Sequence, residues 1–176
     1  DKDVYARREV RFQVSTEIRL TALAALDRLD AAAEDIAPVL LGVLKDTEDS
    51  PLLRRALPDA LVKLDIAENE TTSALLGVVT DGTDAGYVCR EAAEVLMQTD
   101  LQESNRAVPV LEKQLQQPEL RSEAIDILLI LGTAEAKEPL EGLVDLLMSD
   151  MQSEDPSARW LAARQLEEIP PAAESA

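Results

Sequence analysis

One pattern recurs along most of this chain and decides what it can fold into. It is clearest from Ser50 to Asp65, S-P-L-L-R-R-A-L-P-D-A-L-V-K-L-D, where an apolar residue and an arginine lead into Ala and Leu spaced along one helical face. The registers are Ile18-Arg19 with Ala22, Ala25 and Leu26; Leu53-Arg54 with Leu57, Ala60 and Leu61; Val88-Cys89 with Ala92, Ala93 and Leu96; Leu120-Arg121 with Ala124, Ile125 and Leu128; and Ala158-Arg159 with Ala162, Ala163 and Leu166. They fall 35, 35, 32 and 38 residues apart. A period in this range belongs to stacked helical hairpins, each too thin to bury its own apolar face and stable only against its neighbours.

Start and stop signals repeat with the pattern. Pro51, Pro118 and Pro156 stand three residues before an arginine, with Ser50 and Asp155 placed as N-caps for two of them. Proline at the first helical position loses nothing, because its missing N–H would have had no partner there. Each first helix then runs about four turns and ends near Asp30, Asp65, Asp100 or Gly132. A second helix follows in the first four repeats, with Pro38, Pro109 and Pro139 near its start. Leu40-Leu41-Gly42-Val43 ending in Asp46 is echoed 35 residues on by Leu75-Leu76-Gly77-Val78 ending in Asp81. In the fourth repeat the second helix, with Leu140, Leu143, Val144 and Leu147, is shifted in register and leads into a longer link from Ser149 to Asp155. Pro58, inside the first helix of repeat two, removes one backbone bond and predicts a kink rather than a break.

The expected architecture is all-α: a right-handed α-α superhelix of about four hairpins plus a capping helix. Residues 1–16 form an N-terminal arm or cap, in which Arg7, Arg8 and Arg11 make the one locally basic patch. Val10, Phe12 and Val14 alternate there as in a strand or extended arm, although Val10 and Val14 also suit a helix. Residues 17–169 form the repeat domain, with repeats at about 17–49, 50–84, 85–117 and 118–155 and a capping helix at 156–169; residues 170–176 are a tail. Aromatics make up only 2% of the 176 residues, so the interior is filled by Leu, Ala, Val and Ile.

The V/L/I-R-x-x-A/L-x-x-A/V-L pattern, followed by a P-x-L second helix, resembles HEAT repeats over about Thr16 to Ile169. It is most similar to the short variety shared with phycobilisome lyase-type HEAT-like proteins. The departures are Cys89 in the arginine column, no proline at the matching place of the second helix in repeat two, and the irregular fourth repeat. The resemblance implies an armadillo-type solenoid that binds a partner on the concave face formed by its second helices.

Chemistry is otherwise sparse. There is no histidine, which removes Ser-His-Asp and Cys-His nucleophiles, H-E-x-x-H zinc sites and iron-binding His-Glu pairs. No glycine-rich phosphate loop is present. The Asp46-Thr47-Glu48-Asp49 and Asp81-Gly82-Thr83-Asp84 clusters lack the D-x-D-x-D-G calcium pattern and read as capped turns. Arginine in the first turn of a helix opposes the helix dipole and needs an acceptor, which Asp46, Asp49, Asp81 and Asp84 in the preceding loops would supply. The arginine column then reads as a structural ladder of exposed pairs. Glu91 with Glu94, and Glu167-Glu168, read as helix-surface carboxylates. Cys89 reads as a small buried apolar residue, and Trp160 as packed against repeat four.

These readings predict a non-catalytic protein-interaction scaffold or adaptor with no cofactor and no metal. The exposed binding positions on the second helices are Gly42, Lys45, Gly77, Thr80, Glu112, Gln116, Glu141 and Asp145, the two glycines leaving a flat groove for a partner's chain. Net charge is −18, from 35 acidic and 17 basic residues. Such a surface repels phosphate backbones and anionic lipid headgroups, so a basic or neutral protein partner is expected rather than nucleic acid. A high-salt environment would also suit it. No stretch approaches the ~18 apolar residues of a spanning helix, so no membrane insertion is expected. The single cysteine leaves the redox compartment open, either cytoplasm or periplasm for a soluble chain. A first residue of Asp1 rather than Met points to a processed form or a fragment. Two other readings stand beside the scaffold: an accessory enzyme of bilin-lyase type, which would need an aromatic-lined pocket, and a structural segment of a larger protein.

Overall fold

The computed structural model describes residues 15–26, 33–64, 68–82, 84–99 and 101–169. Among these all regular structure is helical and no strand occurs. Residues 15–26 form α1. There follow α2 (Ala33–Lys45), α3 (Pro51–Lys63), α4 (Glu68–Asp81), α5 (Gly86–Thr99), α6 (Leu101–Ser104), a 3-10 turn (Asn105–Ala107), α7 (Val108–Leu115), α8 (Pro118–Leu131), α9 (Ala134–Asp150) and α10 (Pro156–Glu168). Helix has begun by Ser15, inside the range expected for the arm. The rest of the arm, the turns expected at Asp30, Asp65 and Asp100, and the tail lie outside the described residues.

The three start prolines are the first residues of α3, α8 and α10. Asp155 caps α10 as expected, its carboxylate accepting the Ser157 N–H at 2.9 Å. Ser50 does not cap α3 through its side chain. It is buried, and its N–H donates to Asp49 Oδ1 at 2.6 Å. At the other end of α8, Gly132 adopts φ +59° and donates to Leu128 O at 3.0 Å, the left-handed C-cap that lets the chain turn back.

The second helices depart more from expectation. Pro38 and Pro139 are each the sixth residue of their helices, α2 and α9, rather than lying at the start. The start of α9 is set instead by Thr133, whose hydroxyl accepts the Ala136 N–H at 3.2 Å. In repeat three the second helix is interrupted: α6 passes through the 3-10 turn before α7, where Pro109 occupies the first turn. α9 runs on to Asp150, so the link to α10 is only Met151 to Asp155, shorter than predicted. The fully buried Leu147 and the partner that Asp150 finds on α8 hold that last turn in helix. α3 continues through the buried Pro58 as one helix, not two.

The chain divides into two compact units, Asp1–Val95 and Leu96–Ala176, with the division inside α5. In the first, α2 packs on α3 and α4, and α3 on α4. Leu40, Leu41 and Leu44 of α2, Leu53, Leu57 and Leu61 of α3, and Leu75, Val78 and Val79 of α4 are buried. In the second, α8 packs on α7, α9 and α10, α7 on α9, and α9 on α10, around Leu111, Leu115, Ile125, Leu128, Leu140, Leu143 and Leu147. Each such side chain contributes about 1.5–3 kcal/mol by leaving water. In each unit, therefore, neighbouring second helices touch: α2 with α4, and α7 with α9.

Candidate interaction surface

The geometry of the second helices is set by the arginine column. Arg54, Cys89, Arg121 and Arg159 are each the fourth residue of their helices, α3, α5, α8 and α10. Their backbone N–H groups close the first turn on Ser50, Ala85, Gln117 and Asp155. From that position the Arg54 side chain reaches back to the C-terminus of α2, where Nε and Nη2 donate to Leu44 O at 2.9 and 2.6 Å. Arg121 Nε does the same at the end of α7, donating to Leu115 O at 2.7 Å. The last carbonyls of a helix lack intrahelical partners and carry the negative end of its dipole, so a guanidinium there is favoured. Cys89 keeps half of this arrangement, its Sγ lying 3.5 Å from Val78 O near the end of α4.

Arg19, Arg54 and Arg121 each also hold an aspartate. Arg19 pairs with Asp49 at 2.6 and 2.7 Å, Arg54 with both carboxylate oxygens of Asp84, and Arg121 with Asp150 at 2.8 Å. The aspartates lie 30, 30 and 29 residues after their arginines, in the segments that close the same hairpins. The preceding loops were the expected source, and Arg54 and Arg121 were expected to be exposed. They are instead only 1% and 5% accessible, because the guanidinium is drawn inward to the orphan carbonyls. Arg159, with no described hairpin after it, falls back on its preceding loop and donates to Ser153 O and Glu154 O. Asp49 and Asp84 each also accept the N–H of the following residue, which joins one hairpin to the start of the next. The hydrogen bond from Arg19 holds the Asp49 carboxyl below the usual carboxylate range and raises Arg19 in turn.

With α2 and α4 so held, Gly42, Lys45 and Gly77 are exposed, while Thr80 is half-buried and its hydroxyl donates to Leu76 O at 2.8 Å. A cavity of about 360 Å³ opens where the two helices meet. Lys45, Gly77 and Thr80 line it together with Ser73, Ala74, Val78, Asp81 and the Arg54–Asp84 pair; Gly42 does not. A Cβ added at Gly42 or Gly77 would meet nothing within 4 Å. Among the described basic side chains of this unit, Arg19, Arg54, Arg55 and Lys63 are paired with carboxylates and Arg90 is engaged, which leaves Lys45 as the one without a partner.

The other four expected positions, Glu112 on α7, Gln116 at its C-terminal end, and Glu141 and Asp145 on α9, are all exposed in the second unit. Sequence reasoning missed Gly142, exposed on α9 with open space around its Cβ position. The L-x-G signal of Leu140-Glu141-Gly142 was there to be read beside Leu40-Leu41-Gly42. Trp160 is 62% accessible rather than packed on repeat four, since Ala162 and Gln165 take the buried side of α10; its ring is instead covered by Arg164 at 5.8 Å. Glu91, expected on the open surface, is half-buried and pairs with Arg55 at 3.2 Å. Cys89 is fully buried. Among the described residues there is no cluster of three or more metal-ligating side chains, and no helix is long and apolar enough to cross a membrane.

Comparison with protein-family models, with curated proteins and with solved structures yields no match.

Proposed function

We propose that this chain is a non-catalytic protein-interaction module, a HEAT-like stack of helical hairpins that presents its second helices to a basic or neutral protein partner. The observation that carries the reading is the direct packing of second helices in each unit, α2 on α4 and α7 on α9, with seven of the eight expected binding positions on or beside them exposed. First helices are consumed by packing: α8 buries six of its fourteen residues, among them the guanidinium-bearing Arg121. A surface that is both ordered and free of core duties is what a scaffold uses for recognition. The surplus of carboxylates favours association with a basic partner through long-range attraction.

The test is affinity capture from the native source with the unaltered chain and with a Lys45→Glu, Glu112→Lys variant, followed by mass spectrometry. Both residues are exposed, so the variant should melt within a few degrees of the parent while losing its specific partner. An identical set of captured proteins from both would refute the assignment of the binding face.

A further inference from the structure

Successive first helices meet in one register. Leu20 of α1 lines a cavity with Ala56 and Ala60 of α3, Arg55 of α3 pairs with Glu91 of α5 at 3.2 Å, and Gln165 of α10 donates to Ser122 of α8 at 2.8 Å. Counted from the column arginine or cysteine, the residue one place on in α1, α3 and α8 therefore faces residues two or six places on in the first helix that follows. No described first helix precedes α1, and α1 shows what such a helix covers. Ala22 is exposed, although the residues of its column in the other first helices, Leu57, Ala92, Ala124 and Ala162, are all buried. Ile18, one place before the arginine, is 64% accessible, where Leu53 and Val88 are buried. Beside them Thr21 is exposed and Ala25 half-buried. No described first helix follows α10, and there the residue one place past the arginine is the exposed Trp160, with Arg164 over its ring. The two ends thus carry the two halves of the contact that joins neighbouring first helices within the chain, both uncovered.

We propose that α1 of one copy of this chain receives α10 of a second copy in the register that successive first helices use, so that Trp160 lies across Thr21 and Ala25 with Ile18 and Ala22 alongside. This surface is separate from the second helices, and the inference does not rest on the interaction-module reading. Small residues at 21, 22 and 25 leave room for an indole, and a large aromatic taken out of water is the commonest anchor of a protein contact. The contact is head to tail, so each pair keeps one free α1 and one free α10, and further copies can add. Two chains of net charge −18 repel at long range, while the contact itself is mostly apolar. Association should therefore strengthen as salt screens the repulsion, the opposite of the salt dependence expected for a basic partner.

The experiment is sedimentation velocity of the unaltered chain over a wide range of concentration, at low and at high salt. The mean mass should rise with concentration, and more so at high salt. Trp160 is the only tryptophan, so its emission should shift to the blue over the same range as the indole leaves water. Trp160→Glu and Ala22→Glu each remove one half of the contact at an exposed position, so both variants should keep the parent's circular dichroism and sediment as monomers. Mixed in equal amounts they should form a dimer that grows no further, because the intact α1 of the first meets the intact α10 of the second. The emission of Ala22→Glu should then shift to the blue on addition of Trp160→Glu, which has no tryptophan of its own. An unaltered chain that stays monomeric throughout, whether residues 1–14 of the same copy occupy α1 or nothing does, would overturn the proposal. So would association that fades with salt or leaves the Trp160 emission unmoved, a variant that still self-associates, or a mixture that stays monomeric.

Discussion

At the residue scale the same Arg–Asp contact occurs in two environments, and burial decides its weight. The Arg19 and Asp49 side chains are 40% and 14% accessible, those of Arg54 and Asp84 2% and 3%. Arg19→Ala should therefore cost about 0–1 kcal/mol in urea unfolding, as for other exposed pairs. Arg54→Ala should cost about 3–5 kcal/mol, because it strands a buried carboxylate and the Leu44 carbonyl. Acid should act on the exposed pair as well. The folded Asp49 carboxyl titrates below its unfolded value near 4. Its contribution is therefore present above that pH and is lost as pH falls through the lowered folded value. The stability gap between the unaltered chain and Asp49→Asn, followed by circular dichroism, should accordingly hold from neutral pH down to about pH 4 and narrow only as the pH falls below it. The ladder itself was legible in the sequence, as arginines at a fixed register with aspartates in the loops. Its pairing was not, because spacing along the chain does not tell which of two flanking loops a guanidinium reaches. Nor could spacing show that orphan carbonyls draw Arg54 and Arg121 inward.

At the element scale, glycine separates two roles. Gly42 and Gly77 sit inside α2 and α4 with open space at the Cβ position, so Gly42→Ala and Gly77→Ala should each raise stability by about 0.5–1 kcal/mol. Gly132 ends α8 at φ +59°, where alanine should cost about 1–2 kcal/mol. Thermal melts of the three variants should move in opposite directions. Repeat three offers a further test, since Cys89 stands where the other hairpins carry arginine and is fully buried. Cys89→Arg should therefore destabilise by several kcal/mol, the effective penalty for placing a charge at a fully buried position. First helices were readable because proline, arginine and an apolar stripe coincide in each. Second helices were less so: Pro38 and Pro139 sit a turn and a half inside rather than at the start, and the interruption before Pro109 has no counterpart among the described residues of the other second helices.

At the scale of the whole molecule the excess of acidic residues and the helical repeats bear on function together. A net charge of −18 should make association with a basic partner faster at low salt, with the on-rate falling as ionic strength rises while the dissociation rate changes little. All-helical architecture followed from the period of the pattern, and it appears in both compact units. The exposed Trp160 was misread because an amphipathic aromatic near the end of a stack can equally pack inward, and only the positions of Ala162 and Gln165 show which side of α10 is buried. The division of labour we propose between helices is the central claim: first helices pack the core of each unit, and second helices would meet the partner. Hydroxyl-radical footprinting of the complex with a captured partner tests it most directly. Protection should fall on exposed residues of α2 and α4, with Lys45 among them, or on those of α7 and α9. Protection confined to the outer surfaces of α3, α8 and α10, with Trp160 shielded and Lys45 still reactive, would contradict it.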